Sequence, residues 1–254
     1  MGLENFFRNG KKWVAVPLLG LALAASPVAC NNNEPRNRKV MLVNQTKVLE
    51  EHSWDYTMKV YFAGFRIGSC KLDFDFKKTE EAGIVKEIMS VSGRYSENYY
   101  GNISSEFSKG EDPFEKYTYF MFSDGEINQE KVLLYKDKVK ISKDGLEKIV
   151  ANEGYSDLQS VLKPLLTDDL ELGRIYTSKV YFREKAYECK TVIDRTDDLG
   201  DYSYAYHAQL EIKNINSGNI KDVEFWVVEG KPCNKIVRCI FYYSNWTSLD
   251  IQLD

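Results

Sequence analysis

Ser53-Trp54-Asp55-Tyr56-Thr57-Met58-Lys59-Val60-Tyr61-Phe62 alternates without a break: Trp54, Tyr56, Met58, Val60 and Phe62 share one face, and Asp55, Thr57, Lys59 and Tyr61 the other. Successive side chains of an extended chain point to opposite sides, so a period of two marks a strand with one oily and one wet face. Gly64 and Gly68 then bracket a turn, after which Leu72, Phe74 and Phe76 alternate with Lys71, Asp73, Asp75 and Lys77. The two segments predict a hairpin.

The same pattern continues outward from this hairpin. Strands are predicted over 84–95, 101–107, 116–122, 131–135 and 138–142, with turns at Ser123-Asp124-Gly125 and Lys143-Asp144-Gly145. One helix interrupts them. Ser156 and Gln159 form a capping box ahead of Leu158, Val161, Leu162 and Leu165, and Pro164 should end or kink the helix near Lys163. After Gly173 strands resume over 176–182, 188–194, 202–215, 221–228, 235–243 and 248–253. About a dozen strands with one short helix overfill a flat sheet, so the expected fold is mainly β, a curled antiparallel sheet forming a half-open barrel or sandwich. A membrane-spanning pore is disfavoured, because the faces opposite the apolar ones carry Lys and Asp and could not meet lipid.

The N-terminus reads as an export segment. Arg8, Lys11 and Lys12 precede an uncharged run, Trp13 to Ala29, that ends in small residues and is followed by Cys30 and the polar tract Asn31 to Arg38. Residues 1–29 are therefore expected to be a signal peptide. Val28-Ala29-Cys30 resembles the bacterial lipobox, which makes Cys30 the candidate lipidation site. Pro27 stands where that motif has Leu, and Ala22-Leu23-Ala24 offers ordinary signal peptidase an alternative that would release the chain as a soluble secreted protein. Residues 30–52 then act as lipidated Cys and polar tether, and 53–254 as a single β-rich domain. Asn31, in place of Asp, favours the outer membrane in the resemblance to lipoproteins.

Composition narrows the partners. The segment 1–29 carries +2 from Arg8, Lys11, Lys12 and Glu4, so the remainder carries −6 against −4 for the whole chain. An acidic body without a Lys/Arg run repels phosphate backbones, so nucleic acid is excluded as a partner. Apart from Cys30, the chain holds Cys70, Cys189, Cys233 and Cys239. An even number suits up to two disulfides in an oxidising compartment, with three pairings open, and small buried thiols are the alternative.

Three stretches resemble the bacterial envelope family known as domain of unknown function 3108. Tyr56 to Leu72 is similar to its opening strand, glycine and second strand, and Tyr155 to Gly173 to its helix and following glycine. Val223 to Cys239 is similar to its closing segment, in which a Trp strand leads to a Lys-Pro turn and a basic strand. The cysteines at 70, 189 and 239 and the polar loop Asp194 to Asp201 depart from the family pattern. The resemblance implies an exported envelope protein without an assigned activity, with an architecture akin to the periplasmic lipoprotein carriers, whose half-open barrels hold acyl chains.

No catalytic signature emerges. GxSxG, HExxH, P-loop and dinucleotide fingerprints are missing, and His52 and His207 are the two histidines of the chain, neither beside a second ligand. No metal or other cofactor is implied. Asp168-Asp169-Leu170-Glu171 lacks calcium-loop spacing and reads as a solvated loop. The Trp54, Tyr56, Met58, Val60 and Phe62 face is the candidate ligand lining, because apolar ligand sites are mostly aromatic and aliphatic; in a tightly filled barrel the same residues are core. The expected function is non-enzymatic: a periplasm-facing, membrane-anchored protein that binds a lipophilic molecule or an envelope protein partner. A structural or adaptor module with a full core is the alternative, and an enzyme on envelope polymers comes third.

Overall fold

The structure, a computed structural model, describes residues 46–96, 99–123, 125–157, 159–230, 234–244 and 247–253. Its first half is a meander of β1 (Lys47–Phe62), β2 (Phe65–Glu81), β3 (Ile84–Ser96), β4 (Tyr99–Ser108), β5 (Glu115–Ser123), β6 (Glu126–Leu134), β7 (Lys138–Lys143) and β8 (Leu146–Ala151). Then come the short β9 (Tyr155–Ser156), a 3-10 turn (Gln159–Val161) and the helix α1 (Lys163–Thr167). The second meander runs through β10 (Ile175–Phe182), β11 (Lys185–Asp197), β12 (Ala205–Asn214), β13 (Ile220–Val228), β14 (Lys235–Ser244) and β15 (Thr247–Leu253).

All fifteen strands belong to one sheet in the order β8-β7-β6-β5-β4-β3-β2-β1-β15-β14-β13-β12-β11-β10-β9. The two meanders meet at β1 and β15, where Met58 faces Leu253 and Val60 faces Ile251. Strands β8 and β9 are the two ends of this sheet, yet they follow each other in the chain. Between Ala151 and Tyr155 the backbone can span at most roughly 14 Å, about three strand spacings, so the sheet has to curl until its ends nearly meet. Asn152 fixes that junction. Its Nδ2 donates to Tyr135 O at 2.6 Å, and its Oδ1 accepts from the backbone N–H of Gly154 at 3.0 Å and of Tyr155 at 2.7 Å. The sheet remains unclosed and its β9–β10 end tucks against the inner face of β5 and β6. There the Tyr117 hydroxyl donates to Tyr181 O, Arg183 N–H donates to Glu130 Oε1 at 3.2 Å, and Tyr119 meets Phe182 edge to face.

The hairpin read from the sequence is present, with Tyr56 opposite Leu72 and Met58 opposite Cys70. Ala63 (φ 48°) and Gly64 (φ 82°) form its two-residue turn, while Gly68 lies within β2 opposite Val60 rather than in the turn. Strand β1 also begins at Lys47, so residues 47–52 of the expected tether belong to the sheet. These residues are held by cross-strand pairing, as in Lys77 Nζ to Glu51 Oε1 at 3.1 Å, which a hydrophobic period does not report.

The helix is also corrected. Only a 3-10 turn covers 159–161, and α1 starts rather than ends near Lys163, with Pro164 in its first turn, where a missing N–H leaves no helical bond unmade. Ser156 makes no capping box; its hydroxyl lies 2.7 Å from that of Ser160.

The core runs along the inner face from Met58, Val60 and Leu72 through Val132, Leu134 and Ile141 to Ile193, Leu210, Phe225 and Ile251. A second, small cluster lies on the other face, where Trp226, Val237 and Ile240 are covered by Leu199 of the polar loop and by Tyr202 just after it. Trp226 Nε1 donates to Asp197 Oδ2 at 2.8 Å, and the nearly inaccessible His207 meets the indole edge to face with Nδ1 2.5 Å from Asp194 Oδ1. Cys70, Cys189 and Cys239 are free, buried thiols on β2, β11 and β14, so no disulfide joins them; neighbours in this set stand at least three strands apart in the sheet order, beyond the reach of an S–S bond. Cys30 and Cys233 lie outside the described residues.

Candidate functional site

The register of β1 to β5 sorts their inward positions into rows. Glu50, Lys78, Glu87, Phe107 and Glu115 form the row nearest the start of β1. His52, Phe76, Met89, Ser105 and Tyr117 form the next, and Phe74, Val91, Ile103 and Tyr119 the third. The chain from Ser156 to Thr167 faces these rows as an opposite wall. Between the two lies a cleft of about 560 Å³, with Phe74, Phe76, Met89, Phe107, Phe114 and Leu166 as its apolar lining.

The opposite wall is held by hydrogen bonds rather than by strand pairing. Gln159 Nε2 donates to Ile103 O at 3.0 Å, and Asp157 Oδ1 accepts from Ser160 N–H at 2.8 Å, which caps the 3-10 turn. At the far end Asn234 Nδ2 donates to Leu165 O at 3.1 Å and to Asp168 O at 2.7 Å, satisfying carbonyls that the end of α1 leaves free. Leu165 and Leu166 are buried beneath, so the wall is both packed and tied.

Two carboxyl groups meet at the base of this wall. Asp157 N–H donates to Glu115 Oε1 at 3.0 Å, and the residues are 3% and 6% exposed. Burial pushes the Glu115 carboxyl up to about 9, and the neighbouring Asp157 charge adds to that. Burial raises Asp157 as well. Glu115 donates toward Asp157, a bond that favours the charged form of Asp157 and the neutral form of Glu115, so Glu115 is protonated at neutral pH. Ser105 stands beside them. It is 7% exposed and its hydroxyl favours the Asp157 anion, yet Oγ makes no hydrogen bond of acceptable geometry among the described residues.

The mouth is charged but balanced. Glu87 receives Lys163 Nζ at 2.5 Å and Lys78 Nζ at 3.3 Å. Burial would raise Glu87, and these two ammonium groups outweigh it, holding the carboxyl below its ordinary value. His52 Nε2 lies 2.9 Å from Glu50 Oε1. Among the described residues no group of three or more His, Cys, Asp or Glu side chains could hold a metal ion. Nor, among them, is any helix long and apolar enough to cross a membrane.

The face singled out from the sequence is placed differently from the cleft. Met58 and Val60 are buried in the packed core, and Phe62 is half-buried against it. None of the three lines the cleft, because they sit further along β1, where the barrel is filled; Glu50 and His52 of the same strand are the residues that reach it. The side chains of Trp54 and Tyr56 lie outside the described residues, although position 54 pairs with the cleft residue Phe74. Glu115, Asp157, Ser105 and Lys163 escaped the sequence reading. Glu115 resembles a charge flanking a strand and Asp157 a capping-segment residue, and nothing local signals that the sheet brings them together.

No family model matches the chain, and no curated protein matches it. Among solved structures the chain is similar to a β-barrel-like protein of domain of unknown function DUF1849 from Brucella abortus. The identity is 6%, the TM-score 0.48, and the match covers 83% of this chain and 98% of that one.

Proposed function

We propose that this protein is an exported envelope protein, anchored through a lipid on Cys30, whose barrel-like domain binds a lipophilic molecule without transforming it. The observation that carries the binding reading is the cleft of about 560 Å³ between the β1–β5 rows and the 156–167 wall. Ligand clefts fall between roughly 300 and 1,000 Å³ and are mainly apolar with a few convergent polar groups, and this one joins aromatic walls to Ser105, Glu115 and Asp157. The export segment, the Cys30 lipobox and the resemblance to family 3108 support the envelope setting. The absence of a recognised nucleophile-and-base motif in the sequence supports binding over catalysis.

The adaptor reading has its own support in the filled half of the interior around Met58 and Val60. One experiment separates the two. The full chain is purified from its own membrane without detergent exchange, extracted with organic solvent, and the extract weighed by mass spectrometry. A lipophile recovered in proportion to protein, and lost when Met89→Trp fills the cleft in a folded variant, supports the carrier. Recovery of no such molecule from either protein rejects it in favour of the adaptor.

A further inference from the structure

Resting on that carrier reading, we propose that the cleft selects amphiphiles with an uncharged hydrogen-bonding head, such as glycerol esters or long-chain alcohols, over anionic ones, and that Ser105 reads the head. A hydroxyl buried without a partner is uncommon, since burial takes away water without returning a bond. Ser105 is such a group: it is 7% exposed, lines the cleft, and its Oγ makes no hydrogen bond of acceptable geometry among the described residues, although Asp157 stands beside it. Its cross-strand neighbours do not supply one. Met89 is apolar, and the Tyr117 hydroxyl is committed to Tyr181 O. An oxygen on a ligand head would complete Ser105 by accepting its proton or donating to its lone pairs.

The charges around the cleft decide which heads fit. At the mouth Lys78 and Lys163 both converge on Glu87, and Glu50 stands opposite Lys78 in the register, so two cations meet two anions with no surplus to attract an anionic head. Deeper in, the Glu115–Asp157 pair offers a second acidic group where a carboxylate or phosphate would have to shed its water. An anion brought there must give up its water beside two buried carboxyl groups, whereas a hydroxyl or ester meets only the need for a hydrogen bond.

The test compares heads at constant tail. The full chain is loaded with N-phenyl-1-naphthylamine, an uncharged fluorescent probe, and titrated at about pH 7.5, where a fatty acid is ionised, with 1-monolauroylglycerol or with laurate below their micellar concentrations. The expected result is displacement by 1-monolauroylglycerol at about one tenth of the laurate concentration or less, because the carboxylate loses hydration that the cleft does not replace. Ser105→Ala should weaken 1-monolauroylglycerol by about five- to tenfold and leave the probe affinity unchanged, while Ser105→Thr, which keeps a hydroxyl, should restore it. Laurate binding as tightly as the ester in the wild type overturns the preference whatever the variants do. A Ser105→Ala chain that binds probe and ester as the wild type does overturns the role of Ser105. Failure of the probe to bind at all removes the carrier reading and this inference with it.

Discussion

Replacing Glu115 by Gln should make the protein more stable in alkali and change it little in acid. The Glu115 carboxyl is held at about 9 against an ordinary value of 4.5, so the folded chain keeps a proton that the unfolded chain releases. With a folded value above the unfolded one, stability is fully present below about pH 4.5 and drains away as pH rises towards 9. The limiting slope is about 1.4 kcal/mol per pH unit for one proton. Because Asp157 shares the proton and Lys163 offsets part of the charge, roughly half of the full span is expected, on the order of 3 kcal/mol near pH 8.5. Glutamine imitates the protonated acid: Oε1 still accepts from Asp157 N–H, and Nε2 donates where the acid proton did. Urea denaturation of both proteins between about pH 5 and 8.5 provides the assay. The curves should start together and diverge with pH, and the variant should keep some slope of its own because burial also raises Asp157 and Glu130. Two curves running parallel across the range would refute the assignment of the retained proton to Glu115.

Three further outcomes follow from the geometry. Asn152→Ala removes one donor bond and two accepted bonds at the junction of the sheet's ends, and should lower unfolding free energy by about 2 kcal/mol, read from a shifted urea midpoint at constant slope. Burial holds the Cys70 and Cys189 thiols at about 12 and pushes Cys239 well above its ordinary value, so none of the three should react with a disulfide reagent in the native protein at neutral pH, and all should in urea. Rapid native labelling of any of them counts against the packed inner face. Cys30→Ser should move the protein from the membrane fraction to the soluble one, and unchanged fractionation would remove the lipid anchor.

The strands were legible wherever one face is wet and the other dry, and illegible where that contrast fades. Leu72, Phe74 and Phe76 are more buried than the Lys71, Asp73 and Asp75 between them, and the hairpin with β1 follows from reading them. Strand β8 was missed because it is a sheet edge whose residues, Leu146 and Ile149 included, are nearly all exposed, so no buried face marks it. The α1 error has a different source. A proline ends one helix or begins another, and only the packing of Leu165 and Leu166 decides which. The curl of the sheet followed from strand number, but the position of the cleft did not. Its walls come from residues near 50, 76, 89, 105, 115 and 157–167, an arrangement created by register rather than by any local run.

The seam between β1 and β15 bears on how the chain is made. Every other long strand finds a partner beside it in the sequence, but one flank of β1 must wait for Thr247–Leu253, at the other extreme of the described chain. Until those residues emerge from the ribosome, the Met58 to Phe62 flank offers bare backbone groups to any passing strand. A nascent chain of this design has reason to be chaperoned until Thr247–Leu253 is made, and a nonsense mutation at codon 247 would leave an adhesive product with that flank of β1 bare.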